Sequence, residues 1–319
     1  MKRISLVIPM YNVEKFLGRC LDSCLEQDIP ADDYEIIAVD DESPDGSRKI
    51  AEEYASRHSC IKVIRQKHAG LSAARNLGLK TAEGSYVWFI DSDDWIERDC
   101  LGSILHLCES QGLDILRICG ENVHEDTREQ RFSIEDTSVR SGWTMIDDSK
   151  LQLCAPFSIY RRTFLIYNNL KFIRGIYHED AEFTPRAYYH AGKVGALNQV
   201  LYFVRQNEGS ITRSYNPQRS LDYLEVVIPS LSEFSKTVQQ DCKAGFDNLI
   251  SSNFSNALKN SLGLDEADRA VLDACAYERR KYLKHLRRSK VFKYKVEGLV
   301  LTLFPRHMTA AYRVMKTLV

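Results

Sequence analysis

Apolar positions fall in short dense runs, and between them apolar and polar residues alternate at helical spacing. Ile4–Pro9 (ISLVIP) is a continuous, β-branched run that reads as a buried strand. Asn12 stands where a helix cap would sit. Val13, Phe16, Leu17, Cys20, Leu21, Cys24 and Leu25 follow at helical spacing and form one apolar stripe. YEIIAVDD is a second strand, ESPDGS has loop chemistry, and Ile50, Ala51, Tyr54 and Ala55 mark a second helix. IKVIR is a third strand and LSAARNLGLKTA a third helix, with Gly84 as its breaker. SYVWFID is a fourth strand. A helix near Asp99 to Ser110 and a strand LDILRI come next.

This alternation from Ile4 to Ile118 predicts an α/β fold, a mostly parallel sheet flanked by helices on both faces. Ligands of such sheets bind beyond the carboxyl ends of the strands. Asp40, Asp41 and Asp91 all stand at such ends and can converge on one crevice, though they are distant in sequence. Asn122–Ser141 is polar and reads as an exposed loop or hairpin. PFSIYRRTFLIYNNLKF returns to apolar structure, YHEDAEFTPRAYYHAG leads from a loop into a helix, and VGALNQVLYFVRQ reads as a strand. Beyond Pro217 the spacing of Leu221, Leu224, Ile228, Leu231 and Phe234 is helical.

The length of 319 residues suits one large domain or two smaller ones. A net charge of -1 argues against a dedicated nucleic-acid binder, so no nucleic-acid partner is expected. The nine cysteines include no CxxC pair. Cys20 and Cys24 share a helix face but have no second pair at zinc-like spacing, so core packing in a reducing compartment is expected. The N-terminus has too short an apolar run for a signal peptide, and no apolar run reaches 18 residues. The expected location is the cytoplasm. YERRKYLKHLRRSKVFKYK, near the C-terminus, interleaves Lys and Arg with aromatic and aliphatic residues. It reads either as a solvated basic helix or as an interfacial segment on anionic lipid, peripheral at the inner membrane face.

Three acidic clusters carry candidate chemistry. Asp91, Asp93 and Asp94 follow a strand, and like charges this close raise each other's pKa. A cation between them would reconcile them, and Mg²⁺ or Mn²⁺ favours oxygen ligands and diphosphates. The alternative is a solvated acidic turn. Asp40-Asp41 could accept a hydrogen bond from a base or sugar, or serve a turn. His178-Glu179-Asp180 offers a general base, or a helix cap.

Order and spacing add to these clusters. VIPMYNVEKFLGRCLDSCLEQ, YEIIAVDDESPDGS, KHAGLSAARNLGL, GSYVWFIDSDDWI and HEDAEFT, in that sequence, resemble the family 2 glycosyltransferases, an inverting GT-A family, of the bacterial polysaccharide type. The resemblance covers roughly residues 1–215. It implies a nucleotide-diphospho-sugar transferase domain over 1–215 and a helical C-terminal region over 216–319. By this resemblance Pro9, Tyr11, Asn12 and Glu14 border the nucleotide, with the Tyr11 ring on the base. Asp41 bonds the base edge and Asp40 supports it. Arg75 lies near the diphosphate or sugar. Asp91 and Asp93 are the DxD pair that holds Mn²⁺ or Mg²⁺ and the ribose-diphosphate, Asp93 being the firmer metal ligand. Asp180 is the base, and Arg205 and Ser210 lie near the donor. Glu42 stands where the family commonly has Gly, which bears on the loop geometry. His68 and Ala69 stand where it often has Asn and Gly, and His68 reads as an exposed loop residue rather than a ligand.

The implied activity transfers a sugar from a UDP-linked donor to a saccharide or lipid-linked hydroxyl. Two rivals remain. A DxD phosphatase usually has Thr or Val where Trp95 stands and places DxD after its first strand, not its fourth. A non-catalytic sugar-nucleotide-binding protein would lack the base that HED supplies.

Overall fold

The computed structural model describes residues 2–124, 127–147, 151, 153–206 and 216–317. It divides into two units, one of Met1–Trp143, Gln152–Gly175 and Ala187–Glu208, the other of Thr144–Leu151, Ile176–Arg186 and Gly209–Val319. Segments 144–151 and 176–186, which the sequence reading grouped with 1–215, thus cluster with the C-terminal helices.

The apolar runs of the first unit form β1 (Ile4–Met10), β2 (Tyr34–Asp40), β3 (Ile61–Arg65) and β4 (Tyr86–Phe89), parallel and in the order β3-β2-β1-β4. Every residue of β1, β2 and β4 is buried, which is why these runs show no polar alternation. Met10 pairs with Asp40, so β1 and β2 end level and the chain leaves both at one edge. Helices α1 (Glu14–Leu25), α2 (Ser47–Arg57) and α4 (Leu101–Gln111) cover one face, where Leu17, Cys20, Leu21 and Cys24 pack with Ile4, Leu6, Ile8 and Trp88. Helix α3 (Leu71–Thr81) lies on the opposite face, its Gly78 against Val7.

Past β4 the sheet becomes mixed. β8 (Ser158–Arg161) inserts between β4 and β6 (Ile115–Val123), antiparallel to both. β9 (Val194–Arg205) runs parallel to β6, and β5 (Trp95–Ile96) pairs antiparallel with β9. The polar stretch after Asn122 folds as a hairpin, with β7 (Arg128–Phe132) antiparallel to β6. Helix α5 (Arg162–Tyr167) follows β8. All nine cysteines are free thiols, and eight are buried.

The expected Asn12 cap is not made. Asn12 adopts a left-handed φ of 57°, and α1 begins two residues later. The α2 loop caps α1 instead: Val13 N donates to Ser47 Oγ at 2.9 Å and Glu14 N to Asp45 Oδ2 at 2.9 Å. Glu14 returns the bond by accepting from Gly46 N at 2.8 Å. The caps lie 31 to 34 residues away, and local cap rules do not reach that far.

A buried carboxylate joins the parallel strands on the α3 face. Glu35 is fully buried on β2 and accepts from Ser5 Oγ and Glu83 N, both at 2.7 Å, with Lys62 Nζ at 3.0 Å. Burial alone would raise its pKa, but these donors outweigh burial and hold it below the usual carboxylate range. The chain crosses over β1 at Gly84, whose N donates to Ser5 Oγ at 2.9 Å. Gly84 stands beyond the end of α3, and its task is this close approach rather than helix breaking.

The second unit is helical: the start of α6 (Glu179–His190), then α7 (Pro217–Asp222), a π-helical segment Tyr223–Val227, α8 (Ile228–Phe234), α9 (Gln240–Asn260), α10 (Glu266–Glu278), α11 (Leu283–Arg288), α12 (Phe292–Leu303) and α13 (Met308–Thr317). His285 of α11 bridges Ser232 Oγ of α8 at 2.9 Å and Asp247 Oδ1 of α9 at 2.5 Å. The connectivity is that of a hydrolytic triad. Ser232 and His285 are each only 4% exposed, so this line of bonds is an interhelical strut.

A Cβ at Gly84 would meet the Ile4 carbonyl carbon and Ser5 N at 2.6 Å, and backbone cannot yield as a side-chain tip can. Gly84→Ala is expected to cost about 2 kcal/mol of stability, read as a lower urea midpoint. An unchanged midpoint would show that the crossover is not this tight.

Candidate active site

The acidic turn after β4 is held on three sides. Asp91 Oδ1 accepts from Arg75 Nη2 at 2.7 Å, and Arg75 is 1% exposed on α3, its guanidinium over the Phe172 ring. Asp91 N donates to the Tyr202 hydroxyl at 3.0 Å, which fixes the turn to β9. Asp94 is buried, and its Oδ1 accepts from Arg205 N at 2.8 Å. Arg205 also donates through Nε to the Asp93 carbonyl at 3.0 Å and lies over the Trp95 ring. Sequence reading alone leaves Asp94 without a role, and the structure makes it the clasp between the turn and the last strand.

These contacts separate the three carboxylates. Asp91 is neutralised by Arg75. Asp94 is pushed well above the usual carboxylate range, first by burial and then by Asp93 and Asp91. Asp93 is half-buried, and burial together with the Asp91 charge raises its pKa to about 6. Arg205 opposes that rise only in part. A half-buried carboxylate with raised proton affinity is suited to a cation. Among the described residues no group of three or more His, Cys, Asp or Glu forms a ready cage. A bound Mg²⁺ or Mn²⁺ would therefore complete its shell from diphosphate and water, as Mg²⁺ usually does.

At the ends of β1 and β2 the structure brings Tyr11, Asp40, Asp41 and His68 together. Asp40 is buried and accepts from Ser43 N at 3.0 Å. The buried Asp41 carboxylate accepts from Gln66 Nε2 at 2.6 Å and from Ala69 N and Gly70 N at 2.9 Å, and His68 Nδ1 lies 2.9 Å from its Oδ2. Three N–H donors and the His68 ring occupy most of this carboxylate, so Asp41 shapes the 66–70 loop here. His68, read from sequence as a loop residue, also packs its ring on Tyr11 with centroids 4.4 Å apart. Tyr11 remains 46% exposed, a face open to a flat ligand. Glu42 has a φ of 62°, the left-handed conformation that explains a usual Gly. It accepts from His68 N at 3.2 Å and pairs with Arg65 at 3.4 Å. Pro9 is buried in β1, and the exposed Glu14 ties α1 to the α2 loop.

Asp180 belongs to the helical unit, half-buried in the first turn of α6 beside Glu179 and Glu182. The helix dipole favours carboxylates there. The preceding loop is anchored from α7: Tyr177 N donates to Asp222 Oδ2 at 2.7 Å, and Gln218 Nε2 bonds the other oxygen at 2.7 Å. His178, at a left-handed φ of 63°, stacks on Tyr223 with centroids 3.9 Å apart. Burial lowers its pKa to about 4, so the ring is neutral at pH 7. Asp222, Tyr223 and Tyr202 were missed in the sequence, because nothing local marks them. Arg205 takes its place at the acidic turn, and Ser210 lies outside the described residues.

Two opposite stability effects follow within one turn. Asp91→Ala removes the 2.7 Å ion pair to the buried Arg75 and is expected to cost about 3 kcal/mol in urea unfolding. Asp93 is the reverse case. Its folded pKa is raised, so the stability it contributes is present below about pH 4 and lost as pH rises through about 6. Asp93→Asn removes that burden and is expected to stabilise the metal-free protein by about 1 kcal/mol at pH 7, and not at pH 4. Equal losses from both substitutions would contradict the separation of roles.

Residues 5–166, half of the chain, match the family model described as glycosyl transferase family 2. The uncharacterized glycosyltransferase EpsJ of Bacillus subtilis (strain 168) is 36% identical over 67% of this chain, and the chain spans 64% of that relative's length. The crystal structure of S. aureus TarS 1-349 in complex with UDP-GlcNAc superposes with a TM-score of 0.78 at 23% identity, over 98% of this chain and 89% of that one. The mannosyltransferase PcManGT from Pyrobaculum calidifontis, in complex with GDP-Man and Mn2+, gives a TM-score of 0.56 at 15% identity, over 98% of this chain and 86% of that one. The chain belongs to glycosyl transferase family 2 and carries its GT-A fold.

Proposed function

We propose that this glycosyltransferase moves a sugar from a UDP-linked donor to a saccharide or lipid-linked hydroxyl, with inversion at the anomeric carbon. The observation that carries the proposal is the acidic turn, where Asp91 and Asp94 are bonded into the fold and Asp93 stays half-buried with its proton affinity raised. The UDP-GlcNAc bound by the TarS structure supports the choice of nucleotide. The Mn2+ in the mannosyltransferase complex supports the choice of metal.

In this reading the exposed Tyr11 ring carries the base, and the Asp40-Asp41 loop frames it. Arg75 lies at the same turn, near the diphosphate or sugar in this reading. It is a positioning residue that orients Asp91. Asp93, with Asp91 beside it, would hold Mn²⁺ or Mg²⁺, which when bound offsets charge on a departing diphosphate. The Arg205 guanidinium lies by the same turn and adds positive charge there. Asp180 takes the proton of the acceptor hydroxyl. The acceptor oxygen forms its bond to the anomeric carbon as the bond to the diphosphate breaks, and the electron pair leaves with the diphosphate. One displacement inverts the centre and needs no covalent enzyme intermediate.

A panel of nucleotide sugars incubated with Mn²⁺ tests the proposal directly. Release of nucleoside diphosphate from UDP-sugars is expected. Release of phosphate from a phosphomonoester instead would favour the phosphatase reading.

Two substitutions divide the roles. Asp180→Asn is expected to lower transfer by at least about 100-fold with donor affinity nearly unchanged. Full transfer by this variant would remove Asp180 as the base. Asp93→Ala is expected to abolish the Mn²⁺-dependent part of donor binding in calorimetry. The same donor affinity with and without Mn²⁺ in both proteins would remove the metal assignment.

A further inference from the structure

Helix α12 carries a face that the helical unit leaves in water. Tyr294, Glu297, Gly298 and Leu301 point inward: Gly298 lies against the Leu286 Cβ and Arg287 backbone of α11, and Ser255 Oγ of α9 donates to Glu297 Oε1 at 3.3 Å. At about 100° per residue the opposite side is then fixed. It holds Phe292, Val296, Leu299 and Leu303, at spacings i, i+4, i+7 and i+11. Their exposures are 79%, 38%, 59% and 74%, and Phe304, just past the helix end, is 52% exposed. Single exposed apolar residues need no explanation, but four bulky ones in line do.

Charge says what covers this stripe. Between Arg279 and Thr317 stand twelve Lys and Arg against one carboxylate, Glu297, in a chain of net charge -1. Glu297 is 5% exposed and turned inward, so α12 shows no negative charge to solvent. Lys293 and Lys295 are exposed and flank the stripe on its two sides, one about 100° and the other about 60° from Phe292 around the axis. Arg287, Arg288 and Lys290 are exposed just before the helix, and Arg306 just after it. An apolar strip edged by long cationic side chains lets the strip enter acyl chains while the ammonium groups stay among anionic headgroups. An apolar protein partner would satisfy the strip but not this flanking charge.

We propose that α12 is an interfacial membrane-binding helix that lies flat on a bilayer rich in anionic lipid, through Phe292, Val296, Leu299, Leu303 and Phe304. Among the described residues no helix is long and apolar enough to cross a membrane, so the contact is a surface one. The surface does not depend on the transfer chemistry.

Co-sedimentation of the full chain with vesicles tests it. Binding to phosphatidylglycerol–phosphatidylcholine vesicles is expected to exceed binding to phosphatidylcholine alone by at least tenfold, and to weaken in 0.5 M NaCl as the charges are screened. Leu299→Glu with Leu303→Glu is expected to cut it at least tenfold without lowering the melting temperature, since both side chains are exposed. Lys293→Gln with Lys295→Gln is expected to cut it several-fold on anionic vesicles only. Donor binding by calorimetry is expected to be unchanged in all of these, so a failure here is distinct from a failure of the transfer reading. Equal binding by wild type and the leucine variant would overturn the proposal. So would absence of vesicle binding, or a dimer in light scattering that the leucine variant converts to monomer.

Discussion

A guanidinium that is 1% exposed is the constraint on which the site depends. Arg75 cannot shed its proton, and inside a fold its charge must be met by an anion held in place. Asp91 supplies such an anion, at 2.7 Å, at the turn that ends β4. Once Asp91 is fixed, Asp93 and Asp94 follow within three residues. Asp94 meets the backbone of β9, and Asp93 stays half-buried with its pKa raised to about 6. Three adjacent carboxylates therefore have three environments although their sequence context is nearly the same. The turn's acidity is not tolerated by solvation alone. It is distributed between a buried cation, a strand amide and a half-buried position whose proton affinity is raised.

The parallel half of the fold was legible because its strands are continuous apolar runs and its helices carry one apolar stripe each. Both signals are local. The mixed half was less so. β8 lies between β4 and β6, and β5 is two residues long, and neither position follows from the composition of the strand concerned. Asn12 shows the same limit at the scale of one bond: it has the right residue type for a cap, but Ser47 and Asp45 do the capping from another loop.

Within the site, residues with an acidic or aromatic signature could be named from sequence, and residues that act through burial could not. Tyr202 reads as one more apolar strand residue, yet its hydroxyl fixes Asp91. Asp222 reads as a polar residue of a helix, yet its two oxygens fix the loop before Asp180. His68 was read as solvent-facing loop, and it is half exposed, but it also bridges Tyr11 and Asp41. Burial and long-range partners are properties of the fold, so a motif can give the identity of a ligand without giving what holds it.

Two of the described places that depart from the rule that charge is paired and bulky apolar surface is covered bear on function. One is Asp93, whose proton affinity is raised because no neighbour fully compensates it. The other is the outer face of α12, where Gly298 and Leu301 clamp the inner side so firmly that the stripe cannot turn inward. Neither is relieved by a small local change, since each is fixed by partners that are themselves saturated or buried. Sequences that otherwise agree with their fold at every level concentrate such departures at working surfaces. In the reading proposed above, the half-buried carboxylate serves the transfer chemistry, and the cationic apolar helix serves the surface on which the chain would act.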